Sequence, residues 1–212
     1  GGKTTLARCL RQRIAELGGE VLLTREPGGT PLGDRIRQLV LDDAAGPVSP
    51  LTDALLFNAA RAQLVADVIE PALARGVTVI CVRFADSTLA YQGYGAGLAL
   101  GDLTSLQAIA IGELAPDLTI LLDLPVELGL ARKTHEQTRF ELGFDVAFHE
   151  RVRAGFLALA HAEPTRFAVL DASRPAGEVE AAALGAVSAR LPELLEQPEA
   201  GEPPSGPERM SR

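Results

Sequence analysis

Apolar positions recur along the chain in two rhythms, one helical and one strand-like. Leu6, Leu10, Ile14 and Leu17 fall on one helical face, and Gly18-Gly19 stop that helix. Glu20 to Thr24 is a short apolar strand. Pro31 to about Leu41 reads as a helix capped by Thr30, with proline at its favourable first position. Val48-Ser49-Pro50 is a break, and Leu51 to about Arg75 predicts one long helix kinked near Pro71. Val77–Val82 and Leu118–Leu124 are nearly uniform apolar runs, which predict strands buried on both faces. Ser87 to Gly97 predicts a helix and a glycine-rich loop. Helices follow over Leu103–Leu114, Glu127–Lys133, Val146–Ala162 and Ala176 to about Leu195, with a last strand at Phe167–Asp171. Thr134–Glu141 is a polar loop. Gln197 to Arg212, rich in Pro, Gly, Glu and Ser, predicts a disordered tail. Strands alternating with helices predict a parallel sheet with helices on both faces, in one domain over 1–196.

In such sheets ligands bind at the C-terminal strand ends. Three distinctive segments fall there: the loop after Thr24, the loop after Val82, and Asp171-Ala172-Ser173. A fourth is Gly1-Gly2-Lys3-Thr4-Thr5, the back half of a G-x-x-x-x-G-K-[ST] phosphate loop opening a helix. The positive end of that helix and its free N–H groups suit an anion. Taken alone, the segment is equally a glycine-rich helix start with an exposed lysine. The opening glycine of the pattern and the strand that feeds it would lie before Gly1, so roughly a dozen further residues are expected upstream. A chain without that strand is expected to fold poorly, because two buried strands would lack a shared neighbour.

Charge narrows the function classes. The 212 residues carry 20 basic and 28 acidic side chains, a formal charge of −8, which argues against broad nucleic-acid binding. Cys9 and Cys81 read as small buried hydrophobes of a reducing compartment, and His135, His149 and His161 as surface residues with no zinc spacing. No apolar run reaches membrane-spanning length, so the cytoplasm is the expected location.

Four strings then change the picture: Thr24-Arg25-Glu26-Pro27-Gly28-Gly29-Thr30-Pro31-Leu32-Gly33, Leu55-Leu56-Phe57-Asn58-Ala59-Ala60-Arg61, Ala90-Tyr91-Gln92-Gly93 and Pro116-Asp117-Leu118-Thr119. With them the chain closely resembles thymidylate kinase, of the P-loop nucleoside monophosphate kinase group, from Gly1 to about Leu195. The resemblance implies a three-layer α/β/α P-loop NTPase fold whose first strand is absent from this chain. It implies transfer of the γ-phosphoryl group of ATP to dTMP with Mg2+, a chemistry of positioning and charge neutralisation.

Roles follow residue by residue. Gly1, Gly2, Lys3, Thr4 and Thr5 would cradle ATP, with Lys3 on the phosphates and the Thr4 hydroxyl on Mg2+. Arg25 and Arg83 would grip the acceptor phosphate, since a planar guanidinium makes paired bonds to phosphate. Either arginine alone would ordinarily be a surface ion-pair partner. The resemblance puts Phe57 on the thymine ring and Arg61 at its edge, four residues apart on one helix face. Without it, Phe57 reads as core. Ser87, Tyr91 and Gln92 would read base and sugar, with Tyr91 where a ribose 2′-OH would go. Pro27 is expected after a cis peptide bond. The segment 133–142 corresponds to a mobile lid, where Arg139 would supply charge to the transferring group. Arg132 would lie near the adenine, with Ala172 and Ser173 lining that side. A homodimer is implied too.

Three positions depart from the family. Val82 stands where an aspartate is usual, Ala96 where an arginine is usual, and Thr138 where the lid often has aspartate. Loss of a carboxylate at 82 would cost on the order of 10²-fold in rate. The alternatives are therefore a nucleotide-binding relative with impaired chemistry, and a P-loop kinase acting on another small acceptor.

Overall fold

The computed structural model of the protein describes residues 2–41, 48–132 and 144–196. Gly1, the expected lid with Arg139 and Thr138, and the expected tail lie outside these residues. The described elements, in order, are α1 (Lys3–Glu16), β1 (Val21–Arg25), α2 (Pro31–Leu41), α3 (Pro50–Leu64), α4 (Glu70–Leu73), β2 (Thr78–Val82), α5 (Asp86–Thr88), α6 (Leu100–Ile111), β3 (Thr119–Asp123), α7 (Val126–Ala131), α8 (Val146–Ala162), β4 (Phe167–Asp171) and α9 (Ala176–Arg190).

Local chemistry sets several boundaries. The Thr30 hydroxyl accepts from Gly33 N–H at 2.9 Å, capping α2. Ser49 does the same for α3, accepting from Thr52 N–H, with Pro50 as first residue. The Asp145 carboxylate caps α8 by accepting from Phe148 N–H at 2.8 Å. The expected long helix 51–75 is broken into α3, a wide π-turn at Val65–Ile69, and α4. Pro71 has no N–H to give the Asp67 carbonyl, and the ladder widens beside it. A second wide turn, Leu89–Gly95, continues α5.

Among the described residues all strand pairing is parallel. β1 pairs with β2 in the register Arg25↔Val82, and β3 with β4 in the register Asp123↔Asp171. The two pairs are separate two-stranded sheets. Between β2 and β3, with α1 along one side, lies a cavity of about 720 Å³. Pleating splits β2 between two layers. Ile80 packs with Leu10 of α1 and with Ala183 and Val187 of α9. Val79 and Cys81 turn the other way, onto Leu64, Val65 and Ile69. Helices thus cover both faces of a parallel α/β core, in the expected three layers. Two side-chain expectations also differ: both cysteines are free thiols but only half-buried, and His149, expected at the surface, is half-buried with its Nε2 withdrawn from water.

Arg166, just before β4, bridges the gap between the strand pairs. It donates to both oxygens of Asp86, past the end of β2, at 2.8 and 2.9 Å, and to the hydroxyl of Thr119, where β3 begins, at 3.0 Å.

Candidate active site

The loop after β1 is held from three directions. Glu26 N–H donates to the Val82 carbonyl at 3.0 Å, tying the loop to β2. From α2, Arg37 donates to the Pro27 carbonyl at 3.1 Å, and Asp34 accepts from Gly29 N–H at 3.3 Å. From α3, Arg61 takes the Glu26 side chain. The Glu26–Pro27 bond is cis, as expected. Gly28 is at φ +129, and a Cβ there would meet Asp34 Oδ1 at 2.6 Å, so only glycine fits this turn. The loop fixes the backbone of Arg25, whose side chain remains exposed at the C-terminal end of β1.

Arg83 sits one residue past β2 and departs from ordinary backbone geometry, with φ +70 on a non-glycine residue. Such a conformation costs of order 1–3 kcal/mol and persists where surroundings over-determine it. The surroundings here include Tyr91: Arg83 Nη2 donates to the Tyr91 hydroxyl at 3.2 Å, and the guanidinium lies 5.1 Å from the ring centroid. Tyr91 in turn meets Phe148 and Phe156 of α8 edge-on. Lys3, Arg83, Ser87 and Tyr91 line the same cavity. Gly2, at φ +83, precedes α1 in a left-handed conformation. Lys3, Thr4 and Thr5 are exposed on the first turn of α1.

A second cluster joins residues expected on the adenine side. Arg132, at the end of α7, donates to the carbonyls of Ala172 at 2.7 Å and Ser173 at 3.5 Å. Ser173 donates through its N–H and hydroxyl to Asp171, which holds that carboxyl below its ordinary pKa. Asp123, level with Asp171 at the end of β3, is lowered in the same direction by its paired bonds from Arg153.

Arg61 is placed unlike the other arginines. It is 1% exposed, and Glu26 is 5% exposed. Burial pushes the Glu26 carboxyl above its ordinary pKa, and the charge and hydrogen bonds of Arg61 pull against it. Phe57 is half-buried and packs on Ile36, Val40 and Ala60, so one face is already engaged in core. Gln92 is 3% exposed. Ala96 leaves its loop without the expected cation, but Arg151 from α8 donates to the neighbouring Gly95 carbonyl at 3.0 Å. Val82 ends β2 at the expected place.

The sequence reading missed Glu26, Asn58 and Thr88 around Arg61, and the Arg153–Asp123 pair. A signal existed for Asn58: it stands three residues from Arg61 on an otherwise apolar helix stretch. Among the described residues no group of three His, Cys, Asp or Glu side chains could hold a metal. The exposed hydroxyl of Thr4 suits instead a cation brought in by phosphates, since Mg2+ is usually held by few protein ligands plus substrate oxygens.

Comparison with known proteins gives the family. The family model described as thymidylate kinase matches residues 1–183. The chain is 54% identical over 191 residues to a thymidylate kinase of Deinococcus radiodurans, covering 89% of this chain and 92% of that one. It is 50% identical over 198 residues to one from Pseudomonas fluorescens, covering 92% of each. Among solved structures it is similar to thymidylate kinase from Ehrlichia chaffeensis, with a TM-score of 0.73 at 32% identity, over 88% of this chain and 92% of that one.

Proposed function

The chain belongs to the thymidylate kinase family, and we propose that its two arginine-rich clusters divide the work of moving the γ-phosphoryl group of ATP onto dTMP. The chain is a phosphotransferase, and its product is dTDP, on the route to dTTP. The observation that carries the division is the shared cavity: Lys3 from the start of α1 faces the same space as Arg83, Ser87 and Tyr91.

Two anionic groups must come within bonding distance, so the task is charge neutralisation and alignment. Lys3 and the N–H groups at the start of α1 hold the ATP phosphates. Arg83 and Arg25, from adjacent parallel strands, grip the acceptor phosphate. The strained backbone at Arg83 and its bond to Tyr91 hold the guanidinium in one orientation before substrate arrives, which lowers the cost of ordering. Tyr91 and Ser87 face the sugar, and the bulk of Tyr91 excludes a 2′-OH. Phe57 would stack on the base and Arg61 would contact its edge, with Gln92 reading base and sugar. Arg132, with the Ala172 and Ser173 carbonyls, forms the adenine side, and Arg139 completes the charge from the lid. The Thr4 hydroxyl would hold Mg2+, which would supply positive charge against the phosphates of ATP.

Leu39 of α2 and Leu51 and Leu55 of α3, all about half exposed, support a homodimer through these helices. No described helix is long and apolar enough to cross a membrane, and the proposed location is the cytoplasm. Coupled ADP-release assays with dTMP, dUMP, dCMP and AMP test the function. Turnover is expected to be highest with dTMP. Lys3→Ala is expected to lower it about 10²–10³-fold, the usual loss on removing one electrostatic stabiliser. ADP release equal with all four acceptors, or unchanged in Lys3→Ala, overturns the reading.

A further inference from the structure

We infer that Glu26 is the positioning residue of the acceptor-base pocket: its carboxylate pins Arg61 so that a single N–H remains for the base. The inference rests on the reading that Arg61 addresses the base edge.

A guanidinium carries five N–H donors and no acceptor. In Arg61, Nε–H is shared between the two Glu26 oxygens at 3.0 and 2.9 Å. Nη2 meets Glu26 Oε2 at 2.8 Å, the Thr88 hydroxyl at 3.1 Å and the Phe84 carbonyl at 3.5 Å. Nη1 donates to Asn58 Oδ1 at 2.9 Å. Nη1 has a second hydrogen, and that one has no acceptor among the described residues. A donor buried without a partner costs about 1–3 kcal/mol, so this position favours a ligand that brings an acceptor. A base edge with a carbonyl oxygen satisfies it. An exocyclic amino group brings a second donor and leaves both unpaired.

That selectivity needs the fork to stay still. Thr88, Phe84 and Asn58 supply uncharged acceptors, each to one nitrogen. Glu26 alone takes two nitrogens at once, and it alone supplies the opposite charge that a buried guanidinium requires. Glu26 also follows Arg25 directly, so the same pair ties the arginine proposed for the acceptor phosphate to the helix that carries the base contacts. One carboxylate therefore sets the spacing between phosphate and base ends of the acceptor site.

Steady-state kinetics on the full chain test this, with Glu26→Gln, Glu26→Asp and Thr88→Val. Glu26→Gln is expected to raise the KM for dTMP about tenfold. It should lower the ratio of kcat/KM for dTMP over dCMP by a similar factor, with the KM for ATP within about twofold of wild type. Glu26→Asp, which keeps the charge, is expected to recover part of both. Thr88→Val removes one uncharged partner and should leave the ratio within about threefold. A purely structural role would lower the unfolding midpoint and leave the dTMP/dCMP ratio alone, and that result overturns the inference. So does a Glu26→Asp variant no better than Glu26→Gln, or a Thr88→Val loss as large as theirs. If Glu26→Gln does not fold, Glu26→Asp decides: its shorter carboxylate should still lower the dTMP/dCMP ratio, and a wild-type ratio overturns the inference. A wild-type chain that does not prefer dTMP sinks the underlying function instead, so the two failures are distinguishable.

Discussion

Arg61–Glu26 and Arg153–Asp123 are built alike and behave oppositely. In each, Nε and Nη2 of the arginine meet the two oxygens of a carboxylate side-on, at 2.6 to 3.0 Å. The first pair is 1% and 5% exposed and the second 40% and 24%. Pairing lowers the pKa of Asp123, whereas burial raises that of Glu26 in spite of pairing. The same bonds thus give opposite signs, because withdrawing both charges from water outweighs their attraction in one case and not in the other. Burial is therefore expected to weigh against the charged form of the first pair, and the half-exposed pair to contribute little to stability. Arg166–Asp86, at 15% and 11% exposure, is intermediate. The three pairs form a series whose energetic order should follow burial.

The largest effect is expected at the buried end. Arg61→Ala leaves Glu26 without its counter-charge and should cost about 3–5 kcal/mol of stability, read as a lower denaturant midpoint at pH 8. The sign of its pH dependence follows from the raised carboxyl. A group whose folded pKa exceeds its unfolded one weakens the fold as pH rises through the folded value. Without the guanidinium, that value rises further. The deficit should therefore be smaller at pH 5 than at pH 8, and a deficit that grows on acidification contradicts the burial account.

Asp86→Asn tests the middle of the series. Arg166 keeps two bonds to Glu163 at 2.7 and 2.8 Å, and its guanidinium lies 4.3 Å from the Phe167 ring centroid. The variant loses a charge-assisted pair but leaves no isolated buried charge, so about 1–3 kcal/mol is expected. Arg166 also spans the gap between β2 and β3, so the loss should appear as faster amide exchange in Ile120 and Leu121 as well as in the midpoint. A cost equal to that of Arg61→Ala would break the ordering by burial.

How much of this was legible in the sequence differs between the two sides of the series. The strand ends, the cap at Thr30, the break at Val48-Ser49-Pro50, and the expectation of Arg132 on one side with Ala172 and Ser173 follow from local pattern and resemblance. The first three depend on residues close in sequence or on one parallel-sheet rule, and the last, 40 residues apart, on the resemblance alone. Glu26 was not legible, because a glutamate between an arginine and a proline in a loop defaults to solvent. Its burial is decided by Arg61, 35 residues away, and no periodicity spans that distance. The φ of +70 at Arg83 is likewise invisible, since arginine carries no marker for it. The π-turn at Val65–Ile69 was half legible: Pro71 announces a fault, and packing decides that the ladder widens. The separation of the strand pairs depends on hydrogen bonds that apolar runs do not specify.

The smallest effect belongs to Asp123→Asn. Its partner Arg153 is 40% exposed, so water and salt already screen the pair, and a cost of about 0.2–1 kcal/mol is expected at pH 7. Because the Asp123 pKa is lowered by Arg153, its contribution is present above the unfolded value and lost as pH falls through the folded one. Wild type and variant should therefore converge in strong acid. They should also draw together at 1 M salt, where the screening length falls to about 3 Å. Arg61→Ala should keep most of its deficit in the same salt, since counter-ions do not reach a pair at 1% and 5% exposure. If salt erased both deficits alike, burial would not be what separates these two pairs, and the series would reduce to geometry they already share.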